Sequence, residues 1–336
     1  MITDILSPPR TPARLFAAIA LAFAPCVLPV SAFAQVLAKP QEFAPPIINP
    51  LQLALLKWGP NTTATISVGI NPIGIAFDGS NMWISRNLTG DVVKVRASDG
   101  QLLGTFTVGG APRCLAFDGV NMWVANAADD TVTKLRASDG RTLGTFPVGD
   151  TPIGVAFDGA NIWVTNGNSA SVTKLRATDG ANLGTFPVGG DPTGIAFDGS
   201  SIWVANNISD TVTKLRASDG VKLGDFPAGH GPAAVVFDGT HIWVADAVAS
   251  AVTELLASDG SLLGTFPIRG RIPGAIAFDG ANLWTANFDN NTVTRLSASN
   301  PTEQINIPVG KSPSGIAFDG AHIWVTNSGA STVNKM

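Results

Sequence analysis

Residues 152–166 read PIGVAFDGANIWVTN, two short apolar runs rich in β-branched residues and joined at Asp158-Gly159. Each run has the length of a β-strand and is too short for an amphipathic helix. Asp-Gly is typical of a tight turn, because Gly accepts a positive φ and the Asp side chain bonds nearby backbone amides. The stretch therefore predicts a β-hairpin.

The hairpin motif recurs along the chain. Phe-Asp-Gly begins at Phe77, Phe117, Phe157, Phe197, Phe237, Phe278 and Phe318. The interval is forty residues, with one additional residue between Phe237 and Phe278, and a Trp follows each Phe six residues later. A period of this length, built from short strand-like segments, is typical of β-propeller blades, whereas helical repeats need longer amphipathic stretches.

Each repeat predicts four strands, which we call a, b, c and d. In the third repeat these are Pro152–Phe157, Asn161–Thr165, Ser171–Ala177 and Leu183–Val188. A second Asp-Gly predicts the turn between c and d. The Pro that opens strand a stands where no donor to the sheet is required.

The two ends of the repeat region complement each other. The last repeat ends after its strand c, at Met336, while Ala64–Val68 precedes the first repeat and matches the strand d pattern of Gly144–Val148. We expect this first strand to complete the last blade, which removes a free sheet edge. The sequence thus predicts an all-β fold, a seven-bladed β-propeller with four-stranded antiparallel blades over residues 63–336.

Residues 1–34 are predicted to be a signal peptide. Two arginines precede the apolar run 15–30, and Ala32-Phe33-Ala34 supplies a small-x-small cleavage pattern. We expect cleavage after Ala34, no transmembrane segment in the mature chain, and a periplasmic or secreted location. An uncleaved membrane anchor is the alternative. Residues 35–62 hold five prolines, which lack amide donors, and are predicted to be an extended linker.

Composition restricts the expected partners. The net charge of −4 gives no reason to expect a nucleic acid or an anionic membrane. Cys26 would leave with the leader, so Cys114 would be alone and no intramolecular disulfide is expected. Cys114 replaces a small residue of strand a, which predicts a packed thiol near the channel. We expect a monomer that needs no cofactor.

Two family resemblances follow from the repeat. Trp163-Val164-Thr165-Asn166 and Trp324-Val325-Thr326-Asn327 resemble the YVTN repeat of bacterial β-propellers, with Trp in place of Tyr. The surrounding elements, as at Pro187–Gly189 and Pro192–Gly199, are similar to the same family. The resemblance covers roughly Ala64 to Met336 and implies the propeller fold. It indicates no ligand, because members of that family have diverse roles.

The chain also resembles the streptogramin B lyases, such as virginiamycin B lyase, through its Pro-x-Gly-Ile-x-Phe-Asp-Gly and Ile-Trp elements. That family uses the same fold for a magnesium-assisted elimination that opens a cyclic depsipeptide. The resemblance implies a catalytic His and a Glu at two positions of the last blade, which here hold Ser314 and Ser328. Mg²⁺ is therefore expected only if a divergent lyase chemistry survives.

Features that all blades share are expected to serve the fold, since one site does not need seven copies. The strand b Trp is predicted to pack between blades. The repeated Lys-Leu-Arg of strand c, as at Lys134-Leu135-Arg136, alternates like an outer strand and is predicted to point its basic side chains to solvent or to a neighbouring Asp.

Departures from the repeat are better candidates for function, and several fall in the d–a and b–c loops, which are expected to share one face around the channel mouth. His230 and Asp246 are the candidates for an acid/base pair. The remaining departures would form a mixed-charge rim that could bind a carboxylate, a phosphate or an acidic loop of a partner: Arg269, Arg271, Phe288, Asp289 and Lys311.

Three functions remain open from the sequence. The first is a non-enzymatic binding or scaffold domain, exported, with a small-molecule or protein partner at the loop face. The second is a divergent streptogramin-lyase-like C–O lyase or lactone hydrolase that uses His230 and Asp246. The third is a structural repeat protein of the cell envelope, in which the departures are drifted surface loops.

Overall fold

The computed structural model describes residues 63–336. The predicted signal peptide (1–34) and the linker (35–62) lie outside the described residues and remain predictions. Within the described residues no helix reaches the length and apolar character that crossing a membrane requires.

The described chain consists of 28 β-strands in seven sheets. The first strand is β1 (Ala64–Ser67). Blade 1 holds β2 (Pro72–Phe77), β3 (Asn81–Arg86), β4 (Asp91–Arg96) and β5 (Leu102–Thr107). Blade 2 holds β6 (Pro112–Phe117), β7 (Asn121–Asn126), β8 (Thr131–Arg136) and β9 (Thr142–Pro147). Blade 3 holds β10 (Pro152–Phe157), β11 (Asn161–Asn166), β12 (Ser171–Arg176) and β13 (Asn182–Pro187).

The remaining blades follow the same plan. Blade 4 holds β14 (Pro192–Phe197), β15 (Ser201–Asn206), β16 (Thr211–Arg216) and β17 (Lys222–Pro227). Blade 5 holds β18 (Pro232–Phe237), β19 (His241–Asp246), β20 (Ala251–Leu256) and β21 (Leu262–Pro267). Blade 6 holds β22 (Pro273–Phe278), β23 (Asn282–Asn287), β24 (Thr292–Ser297) and β25 (Asn300–Pro308). Blade 7 holds β26 (Pro313–Phe318), β27 (Ile323–Asn327) and β28 (Thr332–Lys335).

The ring closes between the two ends of the described chain. Strand β1 pairs antiparallel with β28, with Ile66 opposite Val333, and so becomes the fourth strand of blade 7. The strands a of neighbouring blades contact one another in the order β2, β6, β10, β14, β18, β22, β26 and back to β2. The predicted seven-bladed β-propeller and its closure are confirmed.

The Asp of each Phe-Asp-Gly motif explains why Trp follows at a fixed distance. In blade 3, Asp158 Oδ1 accepts hydrogen bonds from the backbone amides of Ala160 and Asn161, and Oδ2 accepts one from Trp163 Nε1 at 2.7 Å. Gly159 completes the turn at φ 97°. The same indole-to-carboxylate bond forms in all seven blades. The motif therefore fixes the a–b turn and orients the buried Trp.

The Trp side chains form the contacts between blades, as the repeat predicts. Trp123 of blade 2 is fully buried and packs in one cluster with Val155 and Ile162 of blade 3. Such clusters recur around the ring, so each blade buries one apolar face against the next. Burial of apolar surface of this kind is the main stabilising contribution to the fold.

The strand c lysines do not point to solvent, which was one of the two predicted alternatives. The other alternative, a neighbouring Asp, is found at Lys94, whose Nζ lies 3.9 Å from Asp78 Oδ2. Lys134 is only 6% exposed, and its Nζ donates hydrogen bonds to the carbonyls of Ala177 and Thr178 in blade 3 while lying 5.0 Å from the Trp123 ring centroid. The alternation of polar and apolar residues within strand c does not indicate that the next blade covers the lysine side chains. The Arg of the same motif does behave as predicted, because Arg136 pairs with Asp139 at 2.5 Å on the surface.

Candidate functional site

The d–a and b–c loops lie on the same face, as predicted. The amide of Ala127, in the b–c loop of blade 2, donates to the carbonyl of Ala111 in the d–a loop, and Gly110 N donates to Asp129 Oδ2 at 2.7 Å. Equivalent loop contacts occur in the neighbouring blades. We call this surface the loop face. Strand a of each blade starts at this face and runs down the channel.

A cavity of about 530 Å³ occupies the loop-face half of the channel. Its walls are the first three residues after the opening Pro of each strand a, with Ile272 and Phe288 at the mouth. The wall residues are mainly Ile, Val, Leu, Ala and Gly, so most of the lining is apolar. The volume falls within the range of about 300–1,000 Å³ that is usual for small-molecule sites.

One position of strand a makes this cavity asymmetric. It is the residue directly after the opening Pro, and around the ring it is Ile73, Arg113, Ile153, Thr193, Ala233, Gly274 and Ser314. Arg113 is the only charged residue among those lining the cavity. Arg113 was not among the predicted site residues, although it departs from the repeat as clearly as the loop residues do. The signal was available in the Pro-Arg-Cys of blade 2, where both flanking blades have Pro-Ile-Gly.

The guanidinium of Arg113 is exposed and has no hydrogen-bond or ion-pair partner among the residues that the structure describes. Its backbone carbonyl, by contrast, accepts a hydrogen bond from Ser85 Oγ at 2.5 Å, which ties strand β6 to blade 1. The side chain therefore belongs to a rigid strand while its charge is not neutralised by a neighbour. This combination makes the wall at blade 2 the one positively charged part of the cavity.

Cys114 lies beside Arg113 in the cavity wall and has no disulfide partner among residues 63–336. Burial raises the pKa of its thiol, although the positive charge of Arg113 partly opposes this effect. The thiolate fraction at neutral pH is correspondingly small, which favours a packed side chain over a nucleophile. Its predicted position near the channel is confirmed.

An apolar lip covers part of the mouth at blade 6. The amide of Phe288 donates to the carbonyl of Ile272 at 3.1 Å, and the two side chains are 46% and 42% exposed. Ile272 has a φ of 53°, a conformation that β-branched residues rarely adopt. Blades 6 and 2 are three steps apart around the ring, the largest separation that seven blades allow. The lip and Arg113 therefore lie on opposite sides of the channel.

The structure does not pair His230 with Asp246. The His230 ring is 2.5 Å from Asp210 Oδ2, a carboxylate in the b–c loop of blade 4, and the imidazole is largely exposed. Asp246 is buried, accepts a hydrogen bond from Thr253 Oγ1 at 2.6 Å, and has no partner for Oδ1. Burial raises the pKa of Asp246 to about 7. Neither residue is among those lining the cavity.

The predicted rim residues separate into two groups. Phe288 lines the cavity, whereas Arg269, Arg271, Asp289 and Lys311 are exposed outside it. Arg271 and Asp289 form an ion pair at 3.3 Å on the surface. These four charged residues are therefore placed to affect the approach of a ligand, not to contact one inside the channel.

The two positions taken from the lyase resemblance carry hydroxyls with structural roles. Ser314 Oγ donates to the carbonyl of Pro72 at 3.1 Å, and Ser328 Oγ donates to the carbonyl of Ser312 at 2.8 Å. Mg²⁺ prefers several carboxylate, carbonyl and water oxygens in an octahedral arrangement. No carboxylate lines the cavity, and no group of three metal-ligating side chains occurs in the described part of the chain. The residues present do not fit a magnesium site.

Solved structures similar to this chain include two lyases and one synthase. The virginiamycin B lyase of Staphylococcus aureus has a TM-score of 0.70 at 20% identity, over 82% of this chain and 98% of the other. The hydrazine synthase of Kuenenia stuttgartiensis has a TM-score of 0.71 at 18% identity, over 81% and 96%. A streptogramin B lyase has a TM-score of 0.69 at 18% identity, over 81% and 97%.

No family model matches the chain, and no curated protein matches its sequence. At identities of 18–20% the structural likeness concerns the fold alone.

Proposed function

We propose that this chain is an exported, non-enzymatic binding protein whose small-molecule ligand occupies the channel cavity. The observation that carries the proposal is the cavity itself, which opens at the loop face and is lined by mainly apolar side chains from a rigid ring of seven strands. Preformed apolar cavities with few polar groups are typical of small-molecule sites.

Binding is favoured over catalysis because the cavity wall lacks a group suited to proton transfer. Its ionisable lining residues are Arg113, a guanidinium that offers donors but no acceptor, and Cys114, whose thiol has a raised pKa. His230 and Asp246, the acid/base candidates, lie outside the cavity and apart from each other. A ligand held in the channel would therefore contact no carboxylate or imidazole among the described residues.

Lyase activity is the second candidate, because the similar folds include the virginiamycin B lyase of Staphylococcus aureus, one structure of which contains quinupristin. Incubation of the purified protein with quinupristin and Mg²⁺, followed by mass spectrometry, distinguishes the two functions. The binding proposal predicts unchanged quinupristin. Ring opening that is lost in the Ser314→Ala variant would support the lyase and contradict the proposal.

The binding site is tested with a variant that fills the cavity. No atom lies within 4 Å of the place where a Cβ on Gly274 would project, so the backbone there accepts a side chain, and we expect the ring of a Phe to occupy the cavity. The matched control is Ala281→Phe, which adds the same side chain to the exposed a–b turn of the same blade, at the opposite end of the strand.

A thermal-shift screen with carboxylates, neutral apolar compounds and macrolactones supplies the measurement. A compound that binds only the folded state raises the Tm in proportion to its affinity and concentration. We expect at least one compound to raise the Tm of the wild type and of Ala281→Phe but not of Gly274→Phe. Shifts that persist undiminished in Gly274→Phe would place binding elsewhere and overturn the proposal.

A further inference from the structure

Arg113 is an unneutralised cation inside an apolar cavity. It alone among the lining residues carries a charge, and its guanidinium has no partner among the residues that the structure describes. Removing a charge from water is unfavourable unless a counter-charge or hydrogen-bond acceptors replace the lost water. Arg113 is exposed to the cavity, and its guanidinium has five donor hydrogens available to an incoming group.

The position could have been apolar without harm to the fold. Ile73 and Ile153, in the two blades that flank blade 2, occupy the same place in strand a and line the same cavity. The contact that joins strand β6 to blade 1 uses the backbone carbonyl of Arg113, not its side chain. The fold thus gives no reason for an arginine there, and the neighbouring blades show that isoleucine is compatible with it.

The rest of the cavity indicates which chemical groups a ligand bound at Arg113 would carry. Across the channel, three blades away, the wall contains Gly274 instead of a side chain, and the lip of Ile272 and Phe288 borders this space. A ligand anchored at Arg113 can extend toward that side along walls of Ile, Val and Leu without meeting another charge. The cavity is therefore cationic at one end and apolar along its length.

We infer that the channel cavity binds a small apolar molecule with a single carboxylate, the carboxylate paired with Arg113 and the apolar body directed toward the lip at blade 6. The inference rests on the proposed binding function. A guanidinium offers two parallel N–H groups that match the two oxygens of a carboxylate. Burial of the apolar body supplies the remaining affinity.

Cys114 and the rim are compatible with this ligand. The raised pKa of the Cys114 thiol keeps it neutral, so it does not compete with a carboxylate for Arg113. Arg269, Arg271 and Lys311 lie on the rim outside the cavity, where Arg271 is paired with Asp289, so none of them competes with Arg113 for a ligand inside the channel.

The test is isothermal titration of the full chain with three probes: decanoate below its micelle concentration, decanol with the same chain length but no charge, and acetate with the charge but no chain. The wild type is expected to bind decanoate most tightly and acetate immeasurably. Arg113→Ile, which copies the neighbouring blades, is expected to weaken decanoate about tenfold or more while leaving decanol unchanged or tighter.

The control is Arg269→Ile, which removes an exposed guanidinium from the rim, outside the cavity. This control is expected to change the dissociation constants of decanoate and decanol by no more than about twofold at physiological salt. Gly274→Phe is expected to abolish the binding of both long-chain probes.

The outcomes separate this inference from the proposed function. If decanoate does not bind, binds no better than decanol, or is unaffected by Arg113→Ile, the carboxylate assignment is overturned. The binding function nevertheless stands if a neutral compound still binds and Gly274→Phe prevents it. If Gly274→Phe leaves the binding of every probe intact, both the inference and the proposed function are contradicted.

Discussion

At the end of strand b, a single asparagine joins the loop face to the blade beneath it. In blade 3, Asn166 Oδ1 accepts a hydrogen bond from Gly149 N, and Nδ2 donates to the hydroxyls of Ser171 and Thr173. In blade 5 this residue is Asp246, and Ala251 replaces the first hydroxyl. Asp246 has no side-chain N–H group to replace the Nδ2 donor of Asn166, and its buried Oδ1 has no hydrogen-bond partner.

Replacement of Asp246 with Asn is expected to make stability less dependent on pH. In the folded protein the pKa of Asp246 is about 7, so the carboxyl keeps its proton up to about that pH, whereas an Asp in the unfolded chain loses its proton near the ordinary pKa of 3.8. The folded state thus binds more protons between these values, so the free energy of unfolding falls as the pH rises through them. Asp246→Asn has no ionisable group at this position and therefore removes this loss of stability at higher pH.

We therefore expect Asp246→Asn to be more stable than the wild type at pH 8, by about 3 kcal/mol, and to lose most of this advantage at pH 4. Urea unfolding at the two pH values measures the difference. An advantage of equal size at both would show that Asp246 does not titrate in this range.

The strand c lysines predict a second effect of single residues on stability. Lys174 Nζ donates to the carbonyls of Ala217 at 2.7 Å and Ser218 at 3.0 Å in the next blade. Lys174→Met leaves both carbonyls without this donor and is expected to lower the free energy of unfolding by about 2–3 kcal/mol.

The control for this substitution lies on the same strand. Arg176 is exposed and pairs with Asp179 at 2.9 Å, and exposed pairs of this kind contribute about 0–1 kcal/mol. Chemical denaturation should therefore separate Lys174→Met clearly from Arg176→Met. Equal losses in the two variants would contradict the role assigned to the buried lysines.

Strand β1 closes the ring with only four residues. Its Ile66 takes the place that Phe146 has in strand d of blade 2, and a Cβ on Gly100 of blade 1 would lie 2.8 Å from Ile66 Cδ1. The strand thereby covers the edge of β28 and packs against blade 1. Closure of the ring depends on these four residues.

Deletion of residues 64–67 from the full chain is expected to lower the Tm by at least about 5 °C, because it exposes the edge of β28 and removes the packing of Ile66. Ile70→Asp, a change at an exposed loop residue just after the strand, is the control and should leave the Tm nearly unchanged. Differential scanning calorimetry gives both values. An unaltered Tm after the deletion would show that β1 does not close the ring.

The elements were predictable from the sequence to within a residue or two. In blade 3 strand a has the predicted bounds, whereas strand b ends one residue later, at Asn166, strand c ends one residue earlier, at Arg176, and strand d spans Asn182–Pro187. Identical turn chemistry in successive repeats makes such boundaries clear. Blade 6 is the exception, since β25 has nine residues where no Asp-Gly turn delimits it.

Contacts between blades were less predictable than the blades themselves. His230 bonds Asp210, twenty residues earlier in the preceding blade, so its spacing from Asp246 within one blade gave the wrong partner. The buried lysines escaped notice for the same reason. Arg113 could have been found, because the repeat itself exposes departures in strand a as well as in the loops.

At the scale of the whole molecule, the ring converts small departures from the repeat into an asymmetric site. Seven similar strands would enclose a uniform apolar channel. The channel of this protein differs between its two sides. Arg113 lies on one side, and Gly274 with the lip of Ile272 and Phe288 lies on the other. The regular blades supply the rigidity that such a site needs.

A crystal structure of the full chain with decanoate tests the channel as a binding site most directly. The account predicts density for one ligand inside the ring, with its carboxylate within hydrogen-bonding distance of the Arg113 guanidinium and its chain running toward Phe288. Ligand bound at the outer strands or at the a–b turns, with the channel empty, would contradict it.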